Sequence, residues 1–302
     1  MSLVIAIFLA SHLMCMQLAA MGPLMCIWAD VCAARSKLPL AVAARRRLAG
    51  ACLWSFVLGI GLGFVLAGCH TMFGDRDYLR GVSAVYGRTW WGVWELGFYF
   101  GCMFAYWWIG RRDRPLRFWG RFGHGLLAVM AATNLLYHFP PLMAMISRYS
   151  RAAEAIPELS REQFRELLFS PLLVAKTAHF AFASLAVASI WLLVVLWGRP
   201  AEVSKSTNAL DRTPWFAVVA IVGQLLTGIW LVTLLPPGQQ RQMMGGNAVG
   251  TAALVGGIVM SITLLNQLSN LAFGDAGRRS VAIAASMLVV TIVLMSCVIV
   301  FR

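Results

Sequence analysis

The chain has 302 residues, of which 60% are hydrophobic and only 12% charged, where an ordinary soluble domain has about a quarter charged. The net charge of +13 sits largely in short loops between apolar runs, which is a membrane-topology pattern and not a nucleic-acid surface. The seven cysteines show no C-x-x-C or C-x-x-C-H spacing, so neither a disulfide framework nor covalent haem attachment is expected.

Eight apolar segments follow one another, at about 3–29, 49–71, 89–110, 118–146, 171–197, 214–235, 248–273 and 280–301. A backbone in lipid must satisfy its own hydrogen bonds, and no segment alternates as a barrel strand does, so all eight are predicted as helices. The first lacks the basic start of a signal peptide and is expected to remain as a membrane helix carrying His12. The second ends at His70. The third contains Glu95, the one carboxylate well inside a span, among the belt and packing aromatics Trp90, Trp91, Trp94, Trp107 and Trp108. The fourth contains His124, His138 and the pair Pro140-Pro141, which is expected to kink it.

Before the fifth segment, "SREQFRELLFS" has Ser160 and Gln163 at capping-box spacing, with Phe164, Leu167 and Leu168 on one face. It predicts a short interfacial helix. The fifth segment opens "SPLLVAKTAHFAFASL", with Lys176 and His179 inside the apolar run. "GRPAEVSKSTNALDRTP" (198–214) is a polar connector, and "QQRQMMGGN" between segments six and seven contains Arg241 and Met243. The last two segments contain no acid, and no internal repeat is visible.

Fifteen of the 25 basic residues lie in the loops after odd-numbered segments. The positive-inside rule then puts those loops in the cytoplasm and the N-terminus outside, in the periplasm of a bacterial inner membrane. The expected architecture is an all-α integral membrane bundle of about eight helices, one polytopic domain over 1–302.

On this topology His12, His70, His138 and His179 fall at similar depth toward the outer side, and His124 toward the cytoplasmic side. A histidine within a bilayer is costly, so each is a functional hypothesis, and haem iron is a natural partner for imidazoles at one level. The competing reading is a hydrogen bond between helices or a wet interfacial position. His12 and His179, deepest in the spans, fit the ligand reading better, and His70 the interfacial one. For His124 both readings stay open. His124 and His138 stand 14 residues apart, about 21 Å along one face. Two-haem cytochromes use such spacing, but no other helix has a matching pair. Glu95 reads either as a proton-relay group or as a structural hydrogen-bond partner. H-E-x-x-H, G-x-S-x-G and P-loop motifs are absent.

In order, these features resemble subunit I of the cytochrome bd quinol oxidases over about residues 1–245. "FLASHLMCMQL" resembles the family's first helix, with His12 at the ligand of the active-site haem d. "RRRLAGACLWSFVLGIGLGFVLAGCHTMFG" resembles the second, and "VYGRTWWGVWELGFYFGCMFAYWWIG" the third, with Glu95 at the first of two acidic positions on the proton route. "SPLLVAKTAHFAFASL" resembles the fifth, with His179 at the axial ligand of the low-spin haem b. Arg241 and Met243 match the family's R-x-M, whose methionine is the second ligand of that haem. An ordinary apolar loop anchor is the other reading of Met243.

The chain departs from the family elsewhere. About a dozen residues (236–247) replace the long quinol-binding loop, and Met103 stands at the second acidic position. The region that supplies the high-spin haem's glutamate has no counterpart, and 246–302 is two further helices of unclear correspondence.

The resemblance implies a membrane cytochrome with one or two b haems and a doubtful haem d, moving electrons between a quinol or quinone and a partner redox protein. That partner would be a second membrane subunit or a c-type cytochrome. His179 and Met243 would ligate one haem and His12 a second, with His70 or His138 replacing missing ligands. Arg241 would balance a propionate, and Glu95 with Lys176 would manage protons or propionate charge. The alternatives are a quinol:oxygen terminal oxidase subunit, and a cofactor-free membrane scaffold or transporter-like subunit. No nucleic-acid partner is expected.

Overall fold

The computed structural model describes residues 2–36, 39–72, 76–111, 118–150, 158–196, 212–274 and 277–301, and all regular structure among them is helical. The long helices are α1 (Ser2–Ser36), α2 (Pro39–Met72), α4 (Tyr86–Gly110), α5 (Phe118–Tyr149), α7 (Pro171–Leu196), α8 (Thr213–Leu234), α10 (Ala248–Ala272) and α11 (Arg278–Val300). Among the described residues three short ones lie between them: α3 (Arg76–Ser83), α6 (Arg161–Leu168) and α9 (Pro237–Arg241), the last running into a π-helical turn at Gln242–Gly246. Seven long helices are apolar and long enough to cross a membrane. The exception is α4, whose 25 residues reach about 37 Å but are rich in Trp and Tyr, which count little toward hydropathy. Most of the expected polar connector, 197–211, lies outside the described residues.

Small side chains decide which helices are innermost. Without a hydrophobic drive between helices in lipid, close backbone approach and van der Waals packing hold them together. On α1, Ala6, Ala10, Ala19, Ala20 and Ala29 are buried, and on α7 Ala175, Ala183, Ser184, Ala186, Ala188 and Ser189. These two helices pack on each other at the centre. On one side α1 carries α2 and α5, with α4 outside them; on the other α7 carries α8, α10 packs on α8, and α11 returns from α10 to pack on α1 and α7. None of the seven cysteines is in a disulfide.

Several helix ends differ from the hydropathy pattern for local reasons. α2 begins ten residues before the apolar run because Arg45 and Arg46 find carbonyl partners at the end of α4, described below. α5 remains one helix through Pro140 and Pro141. α3 was hidden by its polar sequence. The capping box at α6 is complete: the Ser160 hydroxyl accepts from the Gln163 N–H at 3.2 Å, and the Gln163 side chain accepts from the Ser160 N–H at 3.0 Å. Just before it, the Leu159 N–H donates to the Ala84 carbonyl at 3.0 Å and the Glu158 carboxylate accepts from the Gly87 N–H at 2.7 Å. These bonds fasten α6 over the start of α4.

Candidate functional site: two docked imidazoles

His12 and His179 sit in the same kind of setting in the two halves of the bundle. His12 of α1 donates from Nδ1 to the Gly59 carbonyl of α2 at 2.8 Å. His179 of α7 donates from Nδ1 to the Gln224 carbonyl of α8 at 3.2 Å. A helical carbonyl already accepts from the N–H four residues on, so a second donor needs clear access to it. Glycine provides that access at the same offset in both places. A Cβ on Gly63 would lie 3.1 Å from His12 Cε1, and one on Gly228 would lie 3.4 Å from His179 Cε1. Thr227 adds to the second site: its hydroxyl donates to the Gly223 carbonyl at 2.7 Å and stands 3.4 Å from His179 Nδ1.

A carbonyl only accepts, so it places the proton on Nδ1 and leaves Nε2 with its lone pair in the neutral ring. Among the described residues no hydrogen bond reaches Nε2 of either ring. Histidines that ligate metals usually have their other nitrogen bonded in this way, which fixes tautomer and ring orientation. Among the described residues no three His, Cys, Asp or Glu side chains converge as a metal-ion site. Haem iron asks the protein for only one or two axial ligands, so the donor set fits a haem.

The remaining expected residues are placed as follows. Met243 is buried in the π-helical turn against Ala6, Leu235, Ala253, Cys297 and Val298, with Leu172 of α7 beside this cluster. Leu172 and His179 are seven residues apart, the same face of α7 about 10 Å along it. Leu172, on that face, packs against the same apolar cluster as Met243. Arg241 is exposed, and Lys176 is half-buried one turn before His179. His70 lies in the last turn of α2, and its side chain lies outside the described residues.

Glu95 and His138 come together at the other expected position. His138 Nε2 is 3.7 Å from Glu95 Oε1, and Asn134 donates to Glu95 Oε2. The two face a cavity of about 610 Å³ between α4, α5 and α6.

A second buried polar centre escaped the sequence reading. Asp30 of α1 accepts from Arg45 of α2 at 2.8 Å and from the Tyr106 hydroxyl of α4 at 2.7 Å. His124 of α5, only 3% exposed, has Nδ1 3.3 Å from Asp30, donates from Nε2 to the Tyr106 carbonyl at 2.9 Å, and stacks on the Tyr106 ring at 3.8 Å. Arg45 and Arg46 also donate to the Gly110 carbonyl, at 2.6 and 3.0 Å. Four helices are tied at one end. Asp30 closes an apolar run and Arg45 opens the next, so in sequence each looks like a loop charge.

No family model matches the chain, and no curated protein does.

Proposed function

We propose that the chain is a haem-binding membrane cytochrome, with His179 and His12 as axial ligands. The observation behind the reading is the paired geometry: in each ring Nδ1 is held by a helix carbonyl under a glycine, and Nε2 has no protein partner among the described residues. Bound there, haem b supplies one-electron transfer. The chain's own groups hold the ligand rings in one tautomer and one orientation. Met243, buried in the cluster against which Leu172 of α7 packs, is the proposed second ligand for that haem. Lys176, one turn from His179, and Arg241 would neutralise carboxylates on the cofactor's edge. Glu95 with His138 would hold or release a proton at the carboxylate oxygens.

On this reading electrons pass between a quinol-class donor in the membrane and a partner redox protein, either a second membrane subunit or a c-type cytochrome. The proposed topology has eight crossings in a cell inner membrane, N-terminus outside. α4 supports the eighth crossing. Its C-terminal Gly110 meets the Asp30 cluster at one end of the bundle, while its Glu95 faces His138 toward the other end of α5. α4 thus runs the length of the bundle beside α5.

The test is a reduced-minus-oxidised visible spectrum of the purified protein with a pyridine haemochrome assay. A sharp alpha band with haem b supports the reading, and its loss in His179→Ala assigns the ligand. A flat spectrum from folded, haem-supplied protein defeats it and leaves His12 and His179 as hydrogen-bond groups between helices.

A further inference from the structure

The cavity between α4, α5 and α6 is built from three helix faces. Arg88, Trp91, Gly92 and Glu95 repeat at helical spacing on α4, and His138 and Leu142 do so on α5. α6 turns Arg161, Phe164, Arg165 and Leu168 toward the same space. The volume, about 610 Å³, is that of a small-molecule site.

Charge is distributed unevenly over this lining. Among the described residues no carboxylate lies within ion-pair distance of Arg88, Arg161 or Arg165, and the adjacent Glu162 feels the Arg161 charge without closing on it. The Arg88 guanidinium is held instead over the Phe164 ring, 4.9 Å from its centre. The two lining acids are already engaged. Glu95 accepts from Asn134 and faces His138. Glu162 accepts from the Ser160 hydroxyl at 3.1 Å, and its own backbone N–H and that hydroxyl hold its carboxyl below the usual carboxylate range. Three guanidinium groups thus crown a cavity whose walls are Trp91, Leu142, Phe164 and Leu168 and whose floor is Glu95 with His138.

We propose that this cavity binds the phosphodiester headgroup of an acidic membrane lipid. Arginine forks match phosphate oxygens, and guanidinium groups beside an apolar wall suit a phosphate carrying a glycerol backbone and acyl chains. The position agrees. α6 is a short amphipathic helix fastened over the start of α4, and Trp90, Trp91 and Trp94 are exposed just below, where belt aromatics mark the edge of the hydrocarbon. The guanidinium groups at the rim set a preference among headgroups: a trimethylammonium head brings a second positive charge beside them, and a glycerol head does not, so the site favours the glycerol head. This inference does not depend on the haem reading.

Native mass spectrometry of the full chain in detergent, supplied with phosphatidylglycerol or phosphatidylcholine, tests it. We expect selective retention of phosphatidylglycerol. Arg161→Gln with Arg165→Gln should weaken it roughly ten-fold or more, since each lost contact is a charge-assisted hydrogen bond. Arg278→Gln, at the start of α11 and away from the cavity, should leave retention unchanged. Both arginines on α6 are exposed, so the double variant should keep the parent's melting temperature, and Arg88→Gln gives a second reading from α4. Equal retention of the two lipids, or full retention in the folded double variant, overturns the proposal. Displacement of bound lipid by millimolar inorganic phosphate would make the occupant a free anion and overturn the lipid assignment.

Discussion

His179 and His124 are the same residue type in the same bundle, yet the surrounding helices use them in opposite ways. Both nitrogens of His124 face protein acceptors, Asp30 and the Tyr106 carbonyl, and its ring is stacked on Tyr106. His179 has one nitrogen held and the other without a protein partner among the described residues, and His12 repeats that pattern. Depth in the membrane does not separate the two uses. The neighbours of the second nitrogen do: a carboxylate and a carbonyl make a clamp, whereas a glycine-bearing helix fixes the ring on one side only.

The comparison predicts different costs for damage. Asp30 carries the largest effect. Removing one member of a buried ionic cluster costs roughly 3–5 kcal/mol because its partners keep their charge without compensation. The Asp30 side chain is 27% exposed and Arg45 11%, so water screens part of this. We expect Asp30→Ala to lower stability by about 2 kcal/mol, read as a lower melting temperature in detergent. His124→Ala should be less than additive with it. Full additivity would show that the two side chains do not work as one clamp.

Next come the glycines that seat the docked rings. A Cβ on Gly223 would stand 2.4 Å from Phe182 Cε1, so Gly223→Val should overpack the α7–α8 seam and cost roughly 1–3 kcal/mol. Gly228→Leu should push His179 off the Gln224 carbonyl, and Gly63→Leu should do the same to His12. On the proposed haem reading, both should lose the alpha band along with stability. An intact spectrum in Gly228→Leu would separate haem binding from the docked geometry.

His179→Ala comes third. It removes one hydrogen bond, worth about 1 kcal/mol, so the protein should still fold and insert. Its effect should appear almost wholly in the spectrum, the reverse of Asp30→Ala. A variant of His179 as unstable as Asp30→Ala would put this histidine among the clamps.

These contrasts also show what the sequence could and could not disclose. Long apolar runs are a composition signal, so the long helices were legible to within a few residues, apart from the late end of α1 and the early start of α2. His12, His179 and Glu95 were legible because a polar group in an apolar run stands out. Their partners were not. Gly59 lies 47 residues from His12 and Gln224 lies 45 from His179, and a backbone carbonyl leaves no mark in the side-chain pattern. Asp30, Arg45 and Tyr106 were missed because an ion pair between the end of one helix and the start of the next resembles two solvated loop charges. The cavity needs three helix faces at once, and only the fastening of α6 to α4 brings the arginines to Glu95 and His138.

The smallest expected effect gives the finest test of the docking. The Thr227 hydroxyl spends its proton on the Gly223 carbonyl, so an oxygen lone pair faces His179 Nδ1–H at 3.4 Å. Thr227→Val keeps the shape and removes that lone pair, while the Gln224 carbonyl still holds the ring. Stability should fall by less than about 1 kcal/mol, because the main acceptor remains. An acceptor on Nδ1–H makes the imidazole a stronger electron donor through Nε2. Losing one should raise the midpoint potential of a haem ligated by His179, with the alpha band retained. An unchanged potential would assign Thr227 to its own helix alone and leave the Gln224 carbonyl as the only group that tunes the ring.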